Sequence, residues 1–261
     1  MRSILLRFAF DSRRLVLCAL TLVLLCGCND YRVRFVYPRE AQRNYFNERP
    51  ESTLYVNEPQ DLRSSAERQG RGRIQTLHFP ADEKLDRPAA QIVRRALMQD
   101  LLQTQVASLV QNRDLADYEL TSQLLSMTTR LSRPMSAWAL PVATGVALGA
   151  YAWWDVDASH GIKLGLVGFL LGTFLPAPAD VEAVVEVRLE LHDRRTDQLV
   201  WSTTCEGKQT RTIRLGISAR EDKRIAEDFL PKALKKANAC AVGQLYAHFQ
   251  GSLEPAPSTG R

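Results

Sequence analysis

The chain has 261 residues, of which 45% are apolar and 24% are charged. This composition is typical of a globular protein with one moderate or two small domains, and it excludes collagen, wholesale disorder and a polytopic membrane protein. The formal charge is +5, but residues 1–27 hold four arginines and one aspartate, so removing them leaves 30 basic and 28 acidic residues. Because the remainder is nearly neutral, we predict no nucleic-acid partner.

The first 27 residues have the pattern of a signal peptide that is removed. The apolar run Leu15–Leu25 follows two adjacent arginines and is too short to span a bilayer. Residues 25–28, Leu-Cys-Gly-Cys, resemble a bacterial lipobox, which implies that Cys28 receives lipid and becomes the new N-terminus. The alternative is a signal peptide cut elsewhere, with Cys28 an ordinary thiol. Residues 12–17 also resemble a twin-arginine signal, so the export route stays open between that pathway and Sec.

Lipid on Cys28 predicts a protein tethered to a membrane of the bacterial envelope. Two or three acyl chains give near-permanent attachment, because each buried methylene contributes about 0.8 kcal/mol. Export also places the two cysteines left after the lipid site, Cys205 and Cys240, where disulfides form. A bridge between them is a hypothesis, since spacing along the chain does not show whether their Cα atoms approach closely enough.

The mature chain divides into three predicted parts. Residues 28–73 are polar and contain several prolines, which indicates a tether with short extended pieces at 32–37 and 53–57. Residues 74–250 carry the α+β domain, interrupted at 134–179 by an apolar insertion, and residues 251–261 form a disordered tail.

Hydrophobic periodicity predicts the elements of that domain. A β-type run covers 74–79, and an amphipathic helix covers 88–104 because its apolar residues recur at three- and four-residue spacing. Strands follow at 118–129, 181–191 and 199–212, the second with strict alternation, and a C-terminal helix begins near Ile225 with a break or start at Pro231. Because strands follow one another without crossover helices, we predict an α+β fold: a mixed or antiparallel sheet with two helices on one face.

This arrangement resembles a known group of domains. The segment 116–120, Ala-Asp-Tyr-Glu-Leu, precedes a hairpin that ends in 197–202, Asp-Gln-Leu-Val-Trp-Ser, with Gly207 beyond it. The layout is similar to the domain of periplasmic lipoproteins of the LpoB and CsgG type, related to the N-terminal domain of TolB. Family members regulate peptidoglycan synthases or build secretion channels, so the resemblance implies an envelope protein.

The insertion holds two uncharged segments, Met135–Trp154 and Leu164–Ala179, separated by nine mostly polar residues. The first is long enough to cross a hydrocarbon core, so we predict a hairpin of two membrane-inserted helices. Glycines recur four residues apart, a spacing that lets helix backbones approach closely in lipid; they are Gly145, Gly149, Gly161, Gly165, Gly168 and Gly172. The alternative is a hairpin that packs on the sheet of its own domain.

The apolar hairpin of a lipoprotein resembles the TraT surface-exclusion proteins in arrangement and glycine repeats. That resemblance implies a homo-oligomer whose hairpins assemble in the outer membrane. The insertion tip carries acidic residues and one lysine, whereas Arg130 and Arg133 flank its base. A hairpin through the inner membrane should carry its positive charge at the cytoplasmic tip, so the outer membrane, facing the periplasm, is predicted over the inner membrane.

Nothing in the sequence predicts catalysis or a cofactor. The four histidines lie in separate elements without metal-ligand spacing, and no paired-cysteine signature exists. We therefore expect a non-enzymatic envelope lipoprotein without metal or cofactor, serving as scaffold, pore or exclusion factor. The alternative is a tethered periplasmic module that regulates a cell-wall synthase or transporter, with an envelope protein as partner.

Overall fold

The computed structural model describes residues 31–38, 52–70, 76–132, 138–155, 158–173, 177–215 and 219–253. They fall into two units. Within these ranges, the larger unit takes in residues 32–130, 182–210 and 224–253, and the smaller takes in Tyr31 and residues 131–181 and 211–223. Cys28 and residues 254–261 of the predicted tail lie outside the described residues.

Within the described ranges, seven strands form one mixed sheet. They are β1 (Thr53–Val56), β2 (Gln60–Asp61), β3 (Thr76–Phe79), β4 (Ser108–Leu109), β5 (Tyr118–Ser132), β6 (Ala177–Asp193) and β7 (Gln198–Leu215). The strand order is β4-β1-β5-β6-β7, and β2 and β3 also pair with β5. β1 runs parallel to β4 and β5, whereas β6 and β7 form a hairpin through the turn at 194–197.

The α-helices are α1 (Ser65–Gln69), α2 (Ala89–Thr104), α3 (Ala139–Asp155), α4 (Ala158–Thr173) and α5 (Ala219–Leu253). Together with the mixed sheet they confirm the predicted α+β class. Helix α2 begins directly after Pro88. Proline is favourable at the start of a helix, because a backbone N–H at that position would have no partner within the helix.

Apolar and polar residues alternate along β6, so that one face of the sheet is buried. Every second residue from Val181 to Leu191 is at most 1% exposed, whereas Glu182, Glu186 and Glu190 are half-buried and Arg188 is exposed. Side chains of a strand point alternately to its two faces, so one face packs into the core and the other meets solvent. This strand confirms the sequence prediction.

The predicted tether at 28–73 is wrong for residues 52–70, because β1 lies inside the sheet between β4 and β5. Leu54 and Val56 are buried. Asp117, just before β5, accepts hydrogen bonds from the backbone N–H of Thr53 at 3.0 Å and from its hydroxyl at 2.8 Å. These bonds lower the pKa of the Asp117 carboxyl, the backbone bond most. A four-residue strand with two inward apolar side chains is too short to show a period in the sequence.

The segment 31–38 is also part of the fold. Val33 is fully buried and pairs with Leu85 in an isolated β-bridge. The Tyr37 hydroxyl donates to the buried carboxylate of Asp100 and accepts a hydrogen bond from Asn238 at 3.0 Å. Burial, together with the nearby Asp100 charge, raises the pKa of Tyr37, so the hydroxyl stays a donor. The segment therefore packs in the fold through hydrogen bonds to both α2 and α5 and is not a free tether.

The predicted break or start of the C-terminal helix at Pro231 is wrong. Helix α5 runs unbroken from Ala219 to Leu253 with the proline inside. Proline has no N–H to donate to the carbonyl of Glu227, which costs about 3 kcal/mol in a helix interior. Leu230 and Leu234 are fully buried on either side. Burial of a leucine side chain contributes about 1.5–3 kcal/mol, so two such side chains offset the loss. The helix extends two residues past the predicted start of the tail, Gly251.

Close contact between α5 and β7 depends on Gly207. A Cβ atom at this position would overlap the backbone carbonyl of Ala233 and would lie 2.5 Å from the backbone nitrogen of Ala237. Only a residue without a side chain lets the helix backbone approach the strand this closely.

Replacing Gly207 tests this contact. We expect Gly207→Ala to lower the free energy of unfolding by about 1–3 kcal/mol, because the methyl group must push the helix off the strand. Gly243→Ala on α5 is the matched control: no atom lies within 4 Å of its added Cβ, so the helix-favouring methyl should raise stability by about 0.4–1 kcal/mol. Urea unfolding followed by circular dichroism measures both; equal losses would contradict the contact.

Candidate functional site

The insertion folds into a helical hairpin, and the six predicted glycines lie at the contact between its helices. The Cβ positions of Gly145 and Gly165 come within 3.0 and 3.2 Å of each other's carbonyl oxygens. Gly149 and Gly161 are related in the same way, at 3.1 and 3.0 Å. The backbones of α3 and α4 therefore touch along a row of small residues.

The contact continues toward the base of the hairpin at Gly168 and Gly172. A Cβ atom on Gly168 would lie 2.7 Å from the carbonyl oxygen of Thr144, and one on Gly172 would lie 2.6 Å from the Cα of Pro141. The Thr144 hydroxyl oxygen lies 3.0 Å from the carbonyl oxygen of Gly168 across the interface, and also 3.0 Å from those of Leu140 and Pro141 in its own helix, so its one hydrogen can be donated to the opposite helix. An interhelical hydrogen bond of this kind is typical of helices packed in lipid. Sequence spacing did not reveal the roles of Thr144 and Pro141.

The outward side chains of the hairpin are large and apolar. Those that are exposed are Leu140, Val142, Val146, Leu148, Tyr151, Trp153, Trp154, Ile162, Leu164, Leu166, Leu170 and Leu171. Residues 138–154 and 164–173 contain no Asp, Glu, Lys or Arg. Soluble monomers rarely expose so many neighbouring apolar side chains, and such patches mark contact with a membrane or another protein.

Aromatic and polar residues mark the two ends of the hairpin. At the base, the rings of Trp138 and Phe169 stack with centroids 6.4 Å apart. Near the tip, Trp153 and Trp154 are exposed, the latter by 93%, and the exposed Lys163 lies on the first turns of α4. Tryptophan is enriched at the level of lipid headgroups, where its ring meets both hydrocarbon and water.

The predicted membrane-crossing length is wrong. Among the described residues, no helix combines the length and apolarity required to span a membrane. Helix α3 has 17 residues and α4 has 16, and at about 1.5 Å per residue each is roughly 25 Å long, shorter than a hydrocarbon core of about 30 Å.

The two cysteines that follow the lipidation site lie close together in the larger unit. Cys205 of β7 and Cys240 of α5 have Cα atoms 6.0 Å apart and form a disulfide in the structure. This distance lies within the range for disulfide bridges. The bridge joins the helix to the strand two residues from Gly207, at the same close contact.

The structure distributes the four histidines over four elements: His78 on β3, His160 on α4, His192 on β6 and His248 on α5. Burial lowers the pKa of His248, whose ring stacks on Trp201 at 6.0 Å. In the part of the chain that the structure describes, no three His, Cys, Asp or Glu residues form a group that could hold a metal ion.

No family model matches the chain, and no curated protein matches it. Among solved structures it is similar to a Xanthomonas campestris protein of family DUF330, with 11% identity over 85% of this chain and 98% of that chain, at a TM-score of 0.43. It is similar to lipoprotein GNA1162 from Neisseria meningitidis, with 8% identity over 61% and 83%, at 0.28. It is also similar to the PelC dodecamer from Paraburkholderia phytofirmans, with 14% identity over 73% and 90%, at 0.28.

These TM-scores are too low to carry an argument about the present chain. The resemblance to proteins of the LpoB, CsgG and TraT type stays a prediction.

The close packing of the hairpin can be tested at Gly168. We expect Gly168→Val to loosen α3 from α4 at a cost of about 1–3 kcal/mol, because the side chain would collide with backbone atoms. The control Leu166→Phe adds bulk to an exposed side chain of the same helix. Hydrogen exchange of the full chain in detergent should speed up about tenfold or more in both helices of the first variant only. Equal exchange in both variants would contradict the packing.

Proposed function

We propose that the protein is a non-enzymatic, lipid-anchored protein of the bacterial cell envelope that places its apolar hairpin in the membrane carrying the anchor. One observation carries this proposal: the hairpin buries glycines between its helices and turns its large apolar side chains outward. In water this arrangement is unfavourable, since exposed apolar surface costs about 25 cal/mol per Å². In lipid, where outward apolar side chains cost nothing, close backbone packing is the usual source of helix association.

The N-terminal lipid supports the same location. Cys28 is five residues from Val33, which is buried in the larger unit. Five residues span at most about 18 Å, so an acylated Cys28 would hold that unit close to the membrane surface. The disulfide between Cys205 and Cys240 fits an exported protein, because the bacterial periplasm permits disulfides. We favour the outer membrane, facing the periplasm, on the distribution of charge around the insertion.

Vesicle flotation tests the contact with lipid. The chain from residue 28 onward, produced without residues 1–27 and with Cys28→Ser, should float with vesicles of phosphatidylethanolamine and phosphatidylglycerol through its hairpin alone. The pair Val146→Arg and Leu166→Arg should lower the bound fraction at least about tenfold, because each arginine costs about 2.5–3.5 kcal/mol in hydrocarbon.

The matched control is Leu115→Arg, since Leu115 is 68% exposed, compared with 65% for Val146 and 61% for Leu166, and belongs to the larger unit. This variant should float like the parent. Unchanged flotation of the double arginine variant would overturn the membrane role of the hairpin.

Self-association in the membrane is the second part of the proposal, as expected of a scaffold, pore or exclusion factor. Exposed small residues recur along α3 at three- and four-residue spacing, namely Ala139, Ala143, Ala147 and Ala150. Such a row allows close approach of a helix from a second copy in lipid.

Native mass measurement in detergent tests the assembly. We expect the parent chain to form oligomers and Ala147→Phe to shift them toward the monomer, because a phenyl ring keeps the helices apart. Val142→Phe, at an exposed position of the same helix outside the alanine row, is the control and should leave the mass distribution unchanged. A monomeric parent chain would refute self-association while leaving the lipid contact intact.

A further inference from the structure

A groove separate from the hairpin lies in the larger unit, between α2 and the edge of the sheet. Its main cavity has a volume of about 620 Å³. A second cavity of about 190 Å³ lies further along α2, and Leu109 of the edge strand β4 lines both. The groove therefore follows α2 from Gln91 to Gln105, a distance of about 21 Å at 1.5 Å per residue.

Helix α2 lines this groove with side chains that lie outside its buried face. The core face contains apolar residues such as Ile92, Val93 and Leu97. The groove stripe consists of Gln91, Arg94, Arg95, Met98, Leu102 and Gln105. Residues three and four apart lie on one side of a helix, so these side chains form a continuous row with cations at one end.

Two guanidinium groups give the groove its charge. Neither Arg94 nor Arg95 has an acidic partner among the residues that the structure describes. The Nε atom of Arg94 is buried without a hydrogen-bond partner there. A buried donor of this kind is uncommon and unfavourable unless a ligand or water satisfies it. Glu58, which is exposed, is the acid among the lining residues of the main cavity.

The other wall of the groove consists of residues 54–56 of β1 together with residues 109–111 at the end of β4, which is the edge strand of the sheet. Val110 donates its N–H to the carbonyl of Leu54 at 3.0 Å, and Ser108 donates to Ser52 at 3.1 Å. Backbone groups alternate in direction along a strand, so the N–H and carbonyl of Leu109 point away from β1 toward the open side. β4 stands at the end of the strand order, and an end strand is the usual place for an added strand.

We propose that this groove binds an extended peptide segment of a partner protein that carries acidic side chains. The peptide adds to β4 through the backbone groups of Leu109, and its carboxylates pair with Arg94 and Arg95. Carboxylates form paired hydrogen bonds with guanidinium groups and would satisfy the buried Nε. At about 3.3 Å per residue, the groove has room for roughly six residues in extended conformation. Its apolar side chains would contact Met98 and Leu102.

Fluorescence anisotropy with a defined probe tests this proposal. The full chain in detergent is titrated into the labelled hexapeptide Glu-Val-Glu-Val-Glu-Val. We expect saturable binding, a loss of about tenfold or more in affinity for the Arg94→Gln, Arg95→Gln double variant, and less than about twofold change for Arg188→Gln. The latter is the control because Arg188 is an exposed arginine on the solvent face of β6.

Two further peptides separate strand addition from general charge attraction. The hexapeptide Lys-Val-Lys-Val-Lys-Val should bind at least about tenfold more weakly. An acidic peptide with methylated backbone nitrogens, which keeps the charge and loses the donors, should also bind at least about tenfold more weakly. Absence of saturable binding, or equal affinity for the acidic and basic peptides, would overturn the proposal, and equal affinity of the methylated peptide would overturn its strand-addition part. None of these results depends on whether the hairpin enters lipid.

Discussion

The contact between α3 and α4 is the interaction on which the functional account depends. Each of its six glycines faces the opposite helix, and Thr144 can donate a hydrogen bond across the interface. Close backbone contact leaves no room for large side chains inside, so Val146, Leu166 and their neighbours point outward. A soluble hairpin does the reverse, because its stability comes from burying large apolar groups between its helices. This hairpin therefore needs an apolar surrounding that its own partner helix does not supply.

The larger unit has the opposite character. Its core is dry, its outer sheet face is charged, and α5 is held against β7 by Gly207 and by the disulfide between Cys205 and Cys240. Asp100 is fully buried but compensated, because Lys235 and Tyr37 both donate to its carboxylate. Removing one partner of such a buried group leaves an uncompensated charge. The N-terminal segment that carries Tyr37 is thus a structural part of this unit.

Sequence reasoning succeeded where a repeating pattern had enough length. The alternation along β6 and the four-residue spacing of glycines in the hairpin each repeat several times. The structure confirms the strand and places the glycines between the two helices. Sequence reasoning predicted the extended piece at 53–57 but assigned it to the tether, because four residues repeat too little to show a buried strand. It failed at Pro231, where burial on both sides outweighs a lost hydrogen bond. The length of the first uncharged run also gave too long a helix, because a run without charges does not show at which residue the helix starts. The groove beside α2 was missed because Arg94 and Arg95 are an ordinary polar helix face until the neighbouring strand edge is known.

Labelling from within the bilayer tests the central claim most directly. Cells that produce the full chain, with Cys28 intact, are treated with a photoactivated reagent confined to the acyl layer, and the modified residues are mapped by mass spectrometry. The account predicts modification of the outward hairpin side chains, including Val146 and Leu170, and none on buried residues of the larger unit such as Leu189. Modification confined to the lipid on Cys28, with the hairpin unlabelled, would contradict it.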